Sequence, residues 1–178
     1  MRRQTNRSTL GIGAMLISHC TRNQIMERIR RLFGAPPSRL QAAALPWRVS
    51  TSGDVEVLLV TSRGTGRWVL PKGWPEGTEE LFDAAAREAS EEAGVRGIVS
   101  STAIGRYFYS KVLSSGVEKR CQVPVFPLEV TQEAERWPER RERERRWFSP
   151  GEAARLVAEP DLGELIGQYC VNPRKIAA

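Results

Sequence analysis

The sequence predicts an α/β protein in which a mixed β-sheet lies between α-helices. Three observations carry this. Val55–Thr61 (V-E-V-L-L-V-T) is an almost uninterrupted apolar run, the pattern of a strand covered on both faces. Residues 79–93 read as one helix with start and stop signals at its ends. Residues 104–112 and 120–130 are strand-like runs on either side of Ser114-Ser115-Gly116, the arrangement of an antiparallel pair. Strands in both directions, with helices between and after them, describe a sheet covered by helices.

Residues 1–38 stand apart from the rest of the chain. They open with a basic stretch over 1–7 and continue with a short, weakly apolar run over 10–17 broken by Gly11 and Gly13. Residues 25–33 (I-M-E-R-I-R-R-L-F) suffice for a turn or two of basic amphipathic helix. Three readings stay open for this extension: a disordered or partly helical segment, a targeting or membrane-surface segment, and a nucleic-acid tail. Ala35-Pro36-Pro37 reads as a linker, and the folded domain is expected over 39–170, with 171–178 as a tail.

Within the domain, residues 41–49 (Q-A-A-A-L-P-W-R-V) can form a strand, and Pro46, with no N–H for a ladder, points to an edge or a bulge. Residues 50–54 carry turn chemistry, and 67–70 form a short strand that delivers the chain to Pro71-Lys72-Gly73. In the later hairpin, alternation puts Tyr107 and Tyr109 on one side and Phe108 on the other, while Pro124 and Pro127 again suggest an edge or a bulge. Residues 135–146 hold six Arg and four Glu around Trp137-Pro138 and read as a solvated loop. Residues 145–148 (R-R-W-F) restart a short strand. Ser149-Pro150-Gly151-Glu152 then has the spacing of a capping box with proline in the first turn, so a helix is expected through Ala158 and a second from Asp161 to about Cys170.

The 178 residues suit one domain with appendages, and 40% hydrophobic content supplies a core. The net charge of +6 belongs to the extension, because residues 1–40 carry +7 and the remainder −1. It therefore says little about what the domain binds, and nucleic acid is not the expected partner. Cys20, Cys121 and Cys170 are odd in number and contain no C-x-x-C pair, which speaks against a disulfide framework or structural zinc and fits a reducing cytoplasm. No apolar run reaches the roughly 20 residues that span a bilayer. His19, the sole histidine, sits in the extension, leaving carboxylates, Lys, Arg and Tyr for acid-base work in the domain. A monomer and a homodimer both remain open.

The chemistry concentrates between Gly73 and Val95 (G-W-P-E-G-T-E-E-L-F-D-A-A-A-R-E-A-S-E-E-A-G-V). Thr78 suits an N-cap, Glu79 and Glu80 place negative charge at the positive end of the helix, and Gly94 suits the left-handed residue beyond its C-terminus. Glu88, Glu91 and Glu92 are three and four residues apart, so three carboxylates share one face within a turn. Such a cluster repels itself unless a hard cation with oxygen ligands sits among it, Mg²⁺ first and Mn²⁺ second. Arg87, four residues before Glu91, can hold a carboxylate in place.

Read as Gly73, five residues, Glu79, seven residues, Arg87-Glu88, two residues, Glu91-Glu92, one residue, Gly94-Val95, this stretch resembles the signature, or box, of the Nudix hydrolases. One departure is Ala89, at a position where the pattern prefers a bulkier aliphatic, which weakens a packing contact. The resemblance implies the Nudix fold, an α/β/α sandwich, over roughly residues 39–170. It also implies a reaction in which water attacks one phosphorus of a P–O–P bond in a small phosphorylated substrate, with Mg²⁺ or Mn²⁺ as cofactor. Carried over by position, Glu88, Glu91 and Glu92 are metal-site residues with Gly73 beside them, and Arg87 belongs to the catalytic set. Glu79 is its structural partner, and Gly94 closes the helix. The base is Glu88 or an acid outside the box. Glu139, Glu142 and Glu144 are the outside candidates, although a loop glutamate paired with a neighbouring arginine is the simpler reading for each.

Within the superfamily, E-V-L-L-V-T-S-R, R-W-V-L-P and R-R-W-F-S-P-G-E-A-A look like the diphosphoinositol polyphosphate phosphohydrolase branch, whose members also cleave diadenosine polyphosphates. Arg63 matches a phosphate-contacting position there. Lys72-Gly73-Trp74 departs from that branch's glycine run and is similar to the diadenosine tetraphosphate hydrolases. Lys72, Lys119, Arg120, Arg143 and Arg145 can contact further phosphates, Lys72 foremost because it adjoins Gly73, the others being ordinary surface charges on the simpler reading. Trp74 either stacks on a base or packs under the loop. The alternative is a Nudix-fold module that binds a nucleotide without cleaving it. Such modules usually lack acids of the box, and here all three are present.

Overall fold

The computed structural model describes residues 18–112 and 116–169. The stretches 1–7 and 10–17, Ser114 and Ser115, Cys170 and the tail 171–178 lie outside the described residues. Helix α1 (His19–Leu32) is followed by β1 (Arg39–Leu40), β2 (Ala42–Val49), β3 (Val55–Thr61), β4 (Trp68–Val69) and β5 (Lys72–Gly73). Then come α2 (Leu81–Ala93), β6 (Val95–Val99), β7 (Gly105–Val112), β8 (Glu118–Glu133), β9 (Arg145–Phe148), α3 (Pro150–Leu156) and α4 (Pro160–Tyr169). The sheet runs β1-β8-β2-β3-β4, with β6 and β7 both on β8, β5 on β2 and β9 on β3. Strand β8 is parallel to β1 and β2 and antiparallel to β6 and β7, which makes the sheet mixed.

Alternation along the central strands divides the core into two layers. Ala42 and Ala44 of β2, with Leu58 and Val60 of β3, share a buried cluster with Ala84, Ala85, Ala89 and Ala93 of α2. Their neighbours Ala43, Leu45 and Trp47, with Val57 and Leu59, point the other way into a cluster with Ala153 and Val157 and with Leu162, Leu165 and Ile166 of α4. This is the predicted α/β/α sandwich, and each fully buried leucine in it contributes about 2 kcal/mol of transfer free energy. Ala89 is fully buried although short, and Phe126 and Leu128 supply bulk to the same cluster.

The prolines do not mark edges. Strands β2 and β8 lie inside the sheet, and each proline sits where one neighbouring ladder has stopped and the next has not begun. Pro46 precedes the β3 ladder, which starts at Trp47↔Val57. On one side of β8 the β1 register ends at Gln122 and the β2 register starts at Val125, a gap that holds Pro124. On the other side β7 ends at Val125 and β6 starts at Leu128, a gap that holds Pro127. A missing N–H disrupts little there. The bulge lies elsewhere, between Arg96 and Gly97 in the β6 pairing.

Two further expectations are corrected. Thr78 does not cap α2; Glu80 is the N-cap residue and offers no side-chain hydrogen bond, so the helix starts at Leu81. The extension forms a 14-residue helix rather than a turn or two. The backbone N–H groups of His19 and Cys20 donate to the Glu164 carboxylate at 3.0 and 3.2 Å, and Asn23 donates to Asp161 at 2.8 Å, docking α1 against α4.

Candidate active site

The short β5 and the α2 helix after it build one wall of a pocket of about 660 Å³. Arg87 organises that wall. Its Nη2 donates to Glu79 Oε1 at 3.0 Å and to the Trp74 carbonyl at 2.9 Å, while Nη1 reaches Glu88 Oε1 at 2.9 Å and Glu91 Oε2 at 3.3 Å. One planar fork thus ties the loop before α2 to the acidic face of the helix. Glu79 also accepts the Glu76 N–H at 2.5 Å, and its pKa is lowered by Arg87 first and that N–H second. It does not line the pocket.

Gly73 is required by close approach. A Cβ built there would lie 2.0 Å from Glu88 Oε1, so the carboxylate occupies the space a side chain would take. Burial pushes the Glu88 pKa up against the opposing pull of Arg87. Glu92 is deeper. Its Oε2 accepts the Lys72 N–H at 3.2 Å, and its Oε1 pairs with Arg143. Burial raises its pKa to about 7, outweighing Lys72 and Arg143. Lys72, half buried, is pushed below the ordinary lysine range by loss of water, with Glu92 pulling the other way. Gly94 ends the helix at φ 64°, and a Cβ there would meet Trp137 at 2.8 Å.

The segment 135–146, expected to be solvated, closes the other side. Arg143 is among the buried residues; it bonds Glu92 and Glu139 and donates to the Thr61 carbonyl at 2.9 Å. Trp137 Nε1 donates to the Glu92 carbonyl at 3.2 Å. Arg145 does not face a phosphate site. It donates to the Ala93 carbonyl at 2.7 Å and to the Ala134 carbonyl at 2.9 Å, and it lies 4.1 Å over Trp137, so it caps the C-terminus of α2.

Arg63, Lys72, Gly73, Arg87, Glu88, Glu91 and Glu92 all line the pocket, and of the three candidate bases outside the signature only Glu139 joins them, beside Glu76 and Glu159. Arg63 is 60% exposed and pairs with Glu142 at 3.2 Å and Glu139 at 3.5 Å, so these two acids are the arginine partners of the simpler reading. Glu144 does not line the pocket. Neither do Lys119 and Arg120: Lys119 is exposed on β8, and Arg120 is directed at Glu27 of α1 and the Phe108 ring. Lys111, not singled out from sequence, lines the pocket 5.5 Å from the Trp74 ring, which Arg39 approaches at 4.7 Å. Trp74 also packs on the core. Gln41 was missed as well. It accepts from Tyr109 Oη at 2.5 Å, and its signal was a polar residue opening the apolar run of β2.

The donor set consists of carboxylates, with neither imidazole nor thiol on the pocket wall, which suits a hard divalent cation. Burial raises the pKa of Glu88 and Glu92 despite their basic partners, so their charge is under-compensated and added positive charge would be stabilised. Among the described residues no three such side chains converge on one point, and Arg87 and Arg143 are bound to the carboxylates.

The family model described as "NUDIX domain" matches residues 39–169. Nudix hydrolase 12, mitochondrial, of Arabidopsis thaliana is 40% identical over 135 residues, and the match covers 66% of this chain and 66% of that protein, about two thirds of its length. Diphosphoinositol polyphosphate phosphohydrolase 3-alpha of Mus musculus is 36% identical over 130 residues, covering 71% of this chain and 74% of that one. Among solved structures, a C. elegans Ap4A hydrolase binary complex superposes with a TM-score of 0.56 at 20% identity, covering 75% of this chain and 96% of that chain, a likeness of fold. The family match extends from β1 to the end of α4, across the whole sheet and the helices on its two faces, and this chain belongs to the Nudix hydrolase family.

Proposed function

We propose that the domain hydrolyses a P–O–P bond in a small polyphosphorylated substrate with the help of Mg²⁺ or Mn²⁺, the substrate being a diadenosine polyphosphate or a diphosphoinositol polyphosphate. One observation carries this reading: two buried, under-compensated carboxylates, Glu88 and Glu92, face a pocket that Arg63, Arg67, Lys72 and Lys111 also line. Glu88, Glu91 and Glu92 would hold the metal, which when bound neutralises phosphate charge and lowers the pKa of water.

The chain's own residues do the rest. Lys72, Lys111 and Arg63 bind phosphate oxygens along the pocket, and Trp74, which also lines it, packs against the remainder of the substrate. Arg87 keeps the acidic face aligned. Glu88, which lines the pocket, accepts the proton of the attacking water; Glu139 is less free to do so, being shared by Arg63 and Arg143.

The test is product release from a panel of diadenosine polyphosphates, diphosphoinositol polyphosphates, nucleoside triphosphates and ADP-ribose with Mg²⁺ or Mn²⁺, beside Glu88→Gln and Glu92→Gln. Metal-dependent cleavage of one class, lost in both variants, supports the reading and names the substrate. Binding without cleavage by the wild-type protein would replace it with the nucleotide-binding module.

A further inference from the structure

Helix α1 is amphipathic with its polar side turned inward. Cys20, Asn23, Glu27 and Arg30 recur at helical spacing and face the domain. Glu27, 7% exposed, accepts from Ser38 at 2.5 Å and Arg30 at 2.9 Å and has Arg120 at 3.5 Å. Cys20 Sγ donates to the Arg106 carbonyl at 3.4 Å. Polar contacts, including the Glu164 and Asp161 bonds, hold the helix down.

The apolar side is left in water. Ile25, Met26, Ile29, Leu32 and Phe33 form one stripe, and the last two are 84% and 86% exposed. A helix fastened by polar groups while it exposes five large apolar side chains is the reverse of ordinary packing, and such a patch marks an interaction surface. Charge says what it meets. Arg22, Arg28 and Arg31 are exposed beside the stripe, and the helix's sole acid, Glu27, is on the inner face. A second copy laid on this stripe would bring like charges together. An anionic surface with an apolar interior takes both the arginines and the stripe.

We propose that α1 seats the protein on an anionic lipid bilayer, with Leu32, Phe33, Ile29, Ile25 and Met26 entering the acyl boundary and Arg22, Arg28 and Arg31 meeting the headgroups. The helix lies in the membrane plane. Its attachment to α4 and β7 makes the seated orientation that of the whole domain.

The full chain is sedimented with vesicles of phosphatidylcholine alone and of phosphatidylcholine with about 30% phosphatidylserine, beside Leu32→Ser/Phe33→Ser and Arg28→Gln/Arg31→Gln. All four positions are exposed, and an unchanged melting temperature verifies folding. The expected result is binding to the anionic vesicles only, weakened at least tenfold in each double variant and by 0.5 M salt. Wild-type protein that stays in the supernatant at every lipid concentration would overturn the proposal. So would binding that the Leu32/Phe33 variant retains, which would assign it to residues outside α1. A dimer in sedimentation velocity that the Leu32/Phe33 variant abolishes, without vesicle binding, would overturn it in favour of self-association.

Discussion

The Arg143 guanidinium closes on the Glu92 carboxylate in an ion pair whose two side chains are 6% and 7% exposed, joining a loop late in the sequence to the last turn of α2. Removing one partner of such a pair leaves the other dry and unpaired, at a cost of about 3 kcal/mol or more at a pH where it stays ionised, about pH 8 for Glu92. Arg143→Ala is therefore expected to lower the urea midpoint by at least that equivalent, and Arg143→Ala/Glu92→Gln to recover part of it. A double-mutant cycle by urea unfolding measures the coupling; additive losses would show that the two residues act independently.

Gly73 and Glu88 compete for one volume. In Gly73→Ala the new Cβ displaces the Glu88 carboxylate, and a shift on the order of 1 Å in a reacting group costs about 100-fold in rate. The expected outcome is a fall in kcat of roughly that size with circular dichroism unchanged. Full activity in Gly73→Ala would remove Glu88 from the reaction centre.

The metal-free protein should lose stability as pH rises. The folded pKa of Glu92 is about 7, against 4.5 when unperturbed, so between these values the folded state holds a proton the unfolded state has released. Unfolding free energy then decreases with pH across that window, by about 3 kcal/mol for this one group. Glu92→Gln cannot release a proton and is expected to flatten the dependence between pH 5 and pH 8. Chelator-treated protein melted over that range gives the comparison.

The basic residues near the site divide by place. Lys72→Met is expected to raise KM at least tenfold, as is Lys111→Met, while Lys119→Met leaves it within twofold. Arg145→Met should leave KM unchanged too but cost about 1 kcal/mol of stability, because the Ala93 and Ala134 carbonyls lose their donor. Steady-state kinetics beside thermal melts separate the two groups.

The box was legible because it is local. Gly73, Arg87 and the three glutamates fall within 20 residues, and helical periodicity alone places Glu88, Glu91 and Glu92 on one side. Strand β3 was equally legible, since an unbroken apolar run has few other solutions. The prolines misled because their tolerance depends on where neighbouring ladders end, which is a property of register and not of the strand itself. Residues 135–146 misled for a related reason: six arginines and four glutamates look alike along a chain, and burial distinguishes Arg143 from its neighbours.

By itself, then, the sequence determined the α/β class, the helix that carries the acids, the pairing of the 104–112 and 120–130 runs and the chemistry of the donor set, all of which rest on periodicity and spacing over short stretches. Tertiary structure alone decided that Arg143 reaches Glu92 across 51 positions, that Arg145 caps α2 and that Lys111 rather than Lys119 borders the pocket. It also turned the polar side of α1 inward. Each of these depends on which segments the sheet brings side by side, and electrostatic partners in a folded chain are chosen by distance in space.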